Sequence, residues 1–134
     1  MSPHIKILIL NWNGSLLTNK CLISIEKLTY DNFSTMVIDN ASLDDSIANI
    51  HENHPSVDVL ALNKNYGFGK AYNFAFKHLE NSHSEFTLIL NNDTIVEPDL
   101  LDRLEEGIHL HGSDHLFCPI IHHLDNPNII WYAG

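Results

Sequence analysis

Short runs of apolar, β-prone residues alternate along this chain with segments whose apolar residues recur at helical spacing. The runs that predict strands cover residues 5–10, 34–39, 57–62, 86–90, 116–121 and 129–132. The segments between them predict helices over about residues 15–28, 42–53, 68–79 and 98–108. Alternating strands and helices are typical of βαβ units. The pattern therefore predicts an α/β fold in which helices cover a mostly parallel sheet.

Local signals predict where two of these helices begin and end. Ser42-Leu-Asp-Asp45 resembles a capping box, with Asp in place of the usual Glu, and predicts a helix that begins at Ser42. Pro55 ends that helix, because proline cannot continue the hydrogen-bond pattern. Pro98 suits the first turn of the fourth helix, where its missing N–H has no partner in any case. The first helix is predicted to bury five apolar residues: Leu17, Cys21, Leu22, Ile25 and Leu28.

Polar residues follow three of the predicted strands at the point where each strand ends. Asn11 follows the first strand, Asp39 ends the second, and Asn91-Asn92-Asp93 follows the run 86–90. The carboxyl ends of parallel strands meet at one edge of a sheet, where open α/β sheets bind their ligands. We therefore expect these side chains to converge on a ligand cleft. A plain strand-to-turn connection is the alternative at each position, because Asn and Asp are favoured in turns.

Asp93 offers the chemistry of a metal site at that edge. Mg²⁺ and Mn²⁺ favour carboxylate, carbonyl and water oxygens, and they are often shared between a carboxylate and the phosphates of a substrate. A carboxylate that a buried strand delivers to the cleft is well placed for this role. The pattern favours a metal-dependent phosphate ligand.

Composition restricts the classes of function. The 134 residues suit a single domain, residues 1–134. A formal charge of -10 argues against sequence-independent binding to nucleic acid. Cys21 and Cys118 lie far apart without a CxxC motif, so we expect two buried thiols rather than a zinc site or disulfide. No run approaches the roughly 18 apolar residues of a membrane span, and the N-terminus lacks a signal-peptide layout. We therefore expect a cytoplasmic location.

Five short motifs occur in order along the chain. They are Ile9-Leu10-Asn11-Trp12-Asn13-Gly14, Val37-Ile38-Asp39-Asn40-Ala41-Ser42, Asn65-Tyr66-Gly67-Phe68-Gly69, Leu90-Asn91-Asn92-Asp93-Thr94 and Ile130-Trp131-Tyr132-Ala133-Gly134. Together, over essentially the whole chain, they resemble the N-terminal half of a family 2 glycosyltransferase. The resemblance is closest to the bacterial rhamnosyltransferase-like branch, which makes surface polysaccharides. It implies the GT-A fold of nucleotide-diphospho-sugar transferases, a Rossmann-like three-layer sandwich that would here be truncated at its C-terminus.

The resemblance implies that the ends of the first two strands bind the nucleotide. The loop Asn11-Trp12-Asn13 would pass along it. From the residues alone, without the other motifs, an Asn-Gly turn with Trp12 in the core is the preferred interpretation of this loop. Asp39 would accept hydrogen bonds from a base N–H or a ribose hydroxyl, and Asn40 would support the same corner. From the residues alone, Asp39 could instead cap a helix together with Ser42.

The resemblance also implies a donor-binding loop before the third helix. Asn65 and Gly67 would border the donor, because glycine permits close backbone approach and a helix N-terminus offers free N–H groups. A plain turn is the alternative for this loop. Asn73, one turn into the helix, would reach the donor as well.

Asn91-Asn92-Asp93 stands, by the same resemblance, at the position of the family's DxD metal motif. Asn replaces the first Asp, so Asp93 is the implied ligand of Mn²⁺ or Mg²⁺. Asn92 is implied to contact the nucleotide. With one carboxylate the motif can still hold a metal, and we do not interpret the replacement as inactivation.

The reaction implied by the resemblance is transfer of a UDP- or dTDP-linked sugar to the hydroxyl of a carbohydrate or lipid-linked acceptor. The metal would offset the charge on the diphosphate leaving group. The family's general base, an Asp or Glu, is expected beyond Gly134, because relatives continue for a comparable length. Loss of that half would expose apolar surface, which favours a homodimer. Peripheral membrane association is expected of the full-length enzyme.

The main alternative is a non-catalytic nucleotide-binding or oligomerising module that keeps the fold. A receiver-type signalling domain would need a carboxylate pair after the first strand, where this chain has Asn11-Trp12-Asn13. A nucleotidyltransferase would need a glycine-rich, basic loop at the same place. The sequence therefore favours a donor-binding glycosyltransferase domain over both of these classes.

Overall fold

The computed structural model describes residues 2–80 and 84–133. Ten helices and strands lie within these ranges, in the order expected for repeated βαβ units. They are β1 (Ile5–Asn11), α1 (Ser15–Ile25), β2 (Phe33–Asp39), α2 (Ser46–Asn53), β3 (Asp58–Ala61), α3 (Phe68–Leu79), β4 (Phe86–Asn91), α4 (Leu100–His111), β5 (Ile121–His123) and β6 (Asn126–Tyr132).

The central sheet has four parallel strands in the order β3-β2-β1-β4. β1 therefore has neighbours on both sides. A parallel strand that is covered on both faces is typically a nearly continuous apolar run, and β1 interrupts its run only with Lys6 before it reaches Asn11. The predicted α/β fold with a parallel central sheet is confirmed.

Helices cover both faces of the sheet, so the domain has the three layers that were predicted. Alternate side chains of a strand point to opposite faces. Ile5, Ile7 and Ile9 of β1 contribute to one core, which contains buried residues of three helices: Cys21, Leu22 and Ile25 of α1, Ile50 of α2 and Leu101 of α4. Leu8 faces the other way and belongs to a second core with Ala71, Tyr72 and Ala75 of α3. Each fully buried Ile or Leu stabilises the fold by about 1.5–3 kcal/mol.

The last two strands form a separate antiparallel hairpin. The strand predicted over residues 116–121 is wrong except for its last residue, because β5 covers only Ile121–His123. Pro119 explains the difference, since proline lacks the N–H that a sheet needs and weakens a strand around it. β6 begins at Asn126, earlier than the predicted residue 129, and the side chains along it are exposed.

The first helix differs from the prediction at its C-terminal end, and the fourth differs at both ends, since it covers Leu100–His111 instead of residues 98–108. α1 ends at Ile25 instead of residue 28, because the chain tightens into a turn in which the Leu28 amide donates to the Ile25 carbonyl at 3.1 Å. α4 begins at Leu100, so Pro98 lies before the helix rather than in its first turn. The Pro98 carbonyl instead accepts the Thr29 amide at 2.9 Å.

The second helix begins later than predicted, and the expected capping box does not form. α2 starts at Ser46 instead of Ser42. The Ser42 hydroxyl is engaged elsewhere, since it accepts the Asn13 amide at 2.9 Å. Asp44 takes over the role of satisfying the helix start, because its Oδ1 accepts the Ser46 amide at 3.1 Å. The hydrogen bonds of Ser42 and Asp44 therefore determine where α2 begins.

The two cysteines have different environments, contrary to the expectation that both are buried. Cys21 is buried in the core under the sheet, whereas Cys118 is exposed beside the hairpin. Across residues 2–80 and 84–133, none of the helices combines the length and the apolar character that crossing a membrane requires.

Lys6 is a buried cation within the sheet. Its side chain is 7% exposed, and its Nζ donates to Asp58 Oδ2 at 2.7 Å. A buried ammonium group costs several kcal/mol unless it is paired. Asp58 is itself 63% exposed. It therefore stabilises the sheet by neutralising Lys6 from β3, across the intervening strand β2.

We expect Asp58→Ala to lower the free energy of unfolding by about 1–3 kcal/mol, because Lys6 then keeps a buried charge without its partner. Lys6→Met removes the charge, keeps the apolar stem and is expected to cost less. Urea unfolding followed by circular dichroism measures both. A greater loss for Lys6→Met than for Asp58→Ala would contradict this role of the pair.

Candidate functional site

Three polar strand ends lie together at the carboxyl edge of the sheet. Asn11 of β1 pairs with Asp39 of β2, and Leu10 of β1 pairs with Asn91 of β4. Asn92 and Asp93 follow directly in the turn after β4. The predicted convergence on one edge of the sheet is confirmed by this register.

Asp39 is a buried carboxylate at the centre of this edge. It is 1% exposed. Its Oδ1 accepts Asn11 Nδ2 at 2.7 Å, and its Oδ2 accepts the Ser42 amide at 2.9 Å. Each carboxylate oxygen has two lone pairs, so each can accept one further donor from a ligand. The carboxylate thus organises the turn that follows β2 while keeping acceptor capacity.

Asn11 connects Asp39 to helix α1. It is fully buried, and its Nδ2 also donates to Ser42 Oγ at 3.0 Å. Its Oδ1 accepts the hydroxyl of Thr18 at 2.7 Å. The Thr18 hydroxyl in turn accepts Asn92 Nδ2 at 3.0 Å. We call Asp39, Asn11, Thr18 and Asn92 the polar relay, since they form one chain of hydrogen bonds from β2 to the turn after β4.

Thr18 is a site residue that sequence reasoning missed. The predicted inner face of α1 included Leu17, but Leu17 is 47% exposed and Thr18 is fully buried. The signal was present in the sequence, because Thr18 lies three and four residues before Cys21 and Leu22, which are buried on the same face of a helix. A polar residue in that stripe indicates a buried hydrogen bond.

Gly14 is required by the packing of the polar relay. A Cβ at this position would lie 2.6 Å from Asn92 Nδ2 and 3.1 Å from Asn11 Oδ1. Any other side chain would therefore displace one of these amides.

Asn40 and the loop before α3 form a second hydrogen-bonded corner. Asn40 is buried, its Nδ2 donates to Asn65 Oδ1 at 2.9 Å, and its Oδ1 accepts the Tyr66 amide at 2.8 Å. Asn65 Oδ1 also accepts the Gly67 amide at 2.8 Å. Gly67 has a φ of 76°, which favours glycine. The structure therefore brings Asn40, Asn65 and Gly67 together, with the start of α3 next to them.

Trp12 lies at the surface, so the alternative that placed it in the core is wrong. Its side chain is 58% exposed at the end of β1. The neighbouring Asn13 has a φ of 49°. Its Oδ1 accepts the Leu43 amide at 2.7 Å, which ties this loop to the turn after β2. An exposed indole at a fixed position offers a flat apolar face for a ring system.

Ala41 stores backbone strain beside Asp39. Its φ is 61°, a left-handed conformation that residues with a Cβ rarely adopt. Such outliers occur where the surrounding structure fixes the backbone, and they cluster at ligand sites. The Ala41 backbone lies between the buried Asn40 and the partly buried Ser42, whose hydrogen bonds hold it in place.

Asp93 provides an exposed carboxylate at the edge, next to the exposed carboxamide of Asn91. Within residues 2–80 and 84–133 there is no group of three His, Cys, Asp or Glu side chains that could hold a metal by itself. A divalent metal that keeps waters and shares itself with substrate phosphates needs only one or two carboxylates. The donors present therefore fit a metal that the ligand helps to bind.

Asn73 is exposed on α3, one turn beyond the loop of Asn65 and Gly67. In the ranges that the structure describes, it makes no side-chain hydrogen bond to the other candidate residues. It remains a predicted contact of the donor.

Cys21 lies beneath the end of β4, with its Sγ 3.8 Å from the Asn91 carbonyl oxygen. Burial, together with the smaller effect of the negative charge of Asp93, raises the pKa of this thiol to about 12. The thiol is therefore protonated at any physiological pH and behaves as a small apolar side chain.

The comparisons with known proteins agree with this geometry. A family model described as "Glycosyl transferase family 2" matches residues 6–134. The comparison with curated proteins gives no match.

Several solved structures share the fold. The mannosyltransferase PcManGT from Pyrobaculum calidifontis, in complex with GDP-Man and Mn²⁺, has a TM-score of 0.68 and 22% identity over 75% of this chain and 31% of its own. S. aureus TarS 1-349 in complex with UDP has a TM-score of 0.72 and 23% identity over 81% and 32%. Its complex with UDP-GlcNAc has a TM-score of 0.69 and 24% identity over the same shares. The chain thus spans about a third of the length of these proteins, and the match shows the GT-A fold.

We expect Asp39→Asn to lower the free energy of unfolding by about 1–3 kcal/mol. Both oxygens of Asp39 face donors, so an amide must direct its own N–H groups at one of them. Urea unfolding measures the loss. Asp45→Asn, at an exposed position in the loop that follows Asp39, is the matched control and should change stability by less than about 0.5 kcal/mol. Equal effects of the two variants would contradict the buried role of Asp39.

Cys21 and Cys118 should differ in reactivity with a thiol reagent at pH 8. The raised pKa and burial of Cys21 predict that native protein shows one fast thiol, Cys118, and that the second appears only on unfolding. Cys118→Ser should remove the fast phase. A fast phase that survives in Cys118→Ser would show that Cys21 is accessible as a thiolate.

Proposed function

Because the chain belongs to glycosyl transferase family 2, we propose that it forms the donor-binding part of an enzyme that transfers a sugar from a nucleotide diphosphate to an acceptor hydroxyl. The observation that carries the proposal is the convergence of Asn11, Asp39 and the Asn92-Asp93 turn on one edge of a parallel sheet. Ligands of open α/β sheets bind at that edge. Neighbouring structures in complex with UDP, UDP-GlcNAc and GDP-Man support a nucleotide-linked sugar as the ligand.

The nucleoside is assigned to the region around β1 and β2. The exposed ring of Trp12 offers a flat apolar face, and the loop Asn11-Trp12-Asn13 runs along the edge. Asp39 keeps free lone pairs on both oxygens, so it can accept a base N–H or a ribose hydroxyl in addition to its two internal donors. Such a ligand must approach beside the strained Ala41 turn.

The rest of the donor is assigned to the loop before α3. Asn40 fixes Asn65 and the Tyr66 amide, which positions the start of the helix. α3 has no side-chain cap, so its first N–H groups are available to a negatively charged ligand. Asn73 lies further along the same helix and would contact the sugar or diphosphate.

Asp93 would hold the divalent metal, Mn²⁺ or Mg²⁺, together with the diphosphate of the donor. When bound, the metal supplies positive charge that stabilises the leaving diphosphate. Asn92 keeps this turn in register with α1 through its hydrogen bond to Thr18. The neighbour that contains GDP-Man also contains Mn²⁺, which supports the assignment.

The proposal also covers the subtype of the enzyme, its acceptor, its location and its oligomeric state. The motifs of the chain support a rhamnosyltransferase-like enzyme of surface polysaccharide synthesis, with a carbohydrate or lipid-linked acceptor. We propose no residue of this chain as the general base, which the family resemblance assigns beyond Gly134. A cytoplasmic location is consistent with two free thiols. A homodimer is supported by the apolar side chains that the β5–β6 hairpin exposes.

A nucleotide-binding module without transferase activity is the second candidate. The single carboxylate at the predicted metal position does not decide between the two candidates, because one carboxylate can hold a metal that the phosphates of the ligand share. The two candidates differ in turnover and not in nucleotide binding.

We expect UDP, dTDP or GDP to bind the chain in isothermal titration calorimetry, more tightly with Mn²⁺ than without it. Asp93→Asn should remove the enhancement by Mn²⁺, a loss of about tenfold or more in affinity, because the metal loses its charged ligand. Its melting temperature should not change, since Asp93 is exposed. Asp31→Asn, at an exposed position remote from the carboxyl edge, is the control. An unchanged enhancement in Asp93→Asn would remove the metal role.

A further inference from the structure

We propose that Thr18 is a positioning residue that couples the nucleoside end of the site to its metal end. The inference rests on the proposed function, because it concerns the two ends of the same donor. Thr18 is fully buried in α1, and its hydroxyl already donates to Asn11 and accepts from Asn92, so we assign it no contact with the ligand. It acts through the two side chains that its hydroxyl joins, Asn11 and Asn92.

The hydrogen bonds of the polar relay all run in one direction. Asn92 donates to the Thr18 hydroxyl at 3.0 Å, Thr18 donates to Asn11 at 2.7 Å, and Asn11 donates to Asp39 at 2.7 Å. Chains of this kind polarise one another, so each bond strengthens the next. The chain ends on a carboxylate, which is the strongest acceptor among the four groups.

A hydroxyl is the group that this position needs. It can accept from one amide and donate to another at the same time, whereas valine has the same shape and can do neither. In the described part of the chain, Thr18 is the only hydrogen-bond partner of the Asn92 side chain. Without the hydroxyl, Asn92 is free to rotate, and the acceptor oxygen of Asn11 is left buried without its donor.

Helix α1 provides the rigid reference for both ends. Cys21, Leu22 and Ile25 fix its buried face in the core directly beyond Thr18. The close approach of Gly14 to Asn11 and Asn92 restricts where these amides can move. Thr18 thereby places Asn11, and through it Asp39, at one end, and the Asn92-Asp93 turn at the other. The hydroxyl of Thr18 thus keeps Asp39, at the nucleoside end, and the Asn92-Asp93 turn, at the metal end, in a fixed relative position.

The test compares wild type, Thr18→Val and Thr18→Ser in two measurements. The first is the affinity for the nucleoside without metal: uridine, thymidine or guanosine, matching the nucleotide that the wild type binds. The second is the ratio of nucleotide affinities with and without Mn²⁺. The nucleoside has no phosphate to contact a metal, so the first measurement reports on Asp39 and the second on Asp93. Thr35→Val is the matched control, because Thr35 is a buried threonine near the amino end of β2, away from the carboxyl edge of the sheet.

We expect Thr18→Val to weaken nucleoside binding and to lower the Mn²⁺ enhancement, each by about fivefold or more. Thr18→Ser keeps the hydroxyl and should restore both values, and Thr35→Val should change neither. A Thr18→Val variant that melts at a lower temperature but keeps both values would overturn the proposal, because the residue would then be structural only. A change in only one of the two values would overturn it as well.

A second variant keeps the proposal testable if Thr18→Val does not fold. Asn92→Ala removes the half-buried far end of the polar relay, and coupling predicts that it weakens metal-free nucleoside binding by at least about twofold. Nucleoside affinity equal to the wild type would overturn the coupling. Failure of the proposed function is distinct, because the wild type would then bind no nucleotide with or without Mn²⁺.

Discussion

The buried carboxylate of Asp39 is the constraint on which the candidate site depends. A charge that is 1% exposed must be satisfied by donors from the chain. Asn11 and the Ser42 amide supply them, and Asn11 is held in turn by Thr18. This requirement explains why the end of β1 is polar and why α2 starts late. The polar side chains at the carboxyl edge are thus also required for the domain to fold.

The sheet and the site have different sources of stability. The sheet rests on two apolar cores, one on each face, and tolerates one buried cation because Asp58 neutralises Lys6. The carboxyl edge rests on directional hydrogen bonds among short polar side chains. Apolar packing holds the paired strands in register, which brings the strand ends together. The hydrogen bonds then fix the positions of individual side-chain atoms. Preorganisation of this kind limits the reordering that ligand binding requires.

The order of elements and the convergence of Asn11, Asp39 and the turn after β4 could be predicted, because both follow from local periodicity and the geometry of parallel strands. The burial of Thr18 follows from its helical spacing to Cys21 and Leu22, but its hydrogen bond with Asn92 and the engagement of Ser42 could not be predicted with the same rules. Both of these contacts join residues that lie about 30 or more positions apart in the chain, and local propensity carries no information about such partners. Pro119 shows the opposite case, since its effect on the predicted strand is local.

The strand order β3-β2-β1-β4 has a consequence for synthesis of the protein on the ribosome. β1 emerges before the other strands of this sheet and can pair with β2 as soon as that strand follows, but its other edge waits for residues 86–91. Until then an apolar strand with unpaired N–H and C=O groups is open to wrong partners. The pairing of β4 with β1 also completes the polar relay, since Asn92 follows β4 directly. A nascent chain therefore completes the pairing of its central strand and the hydrogen bonds of its candidate site in the same step.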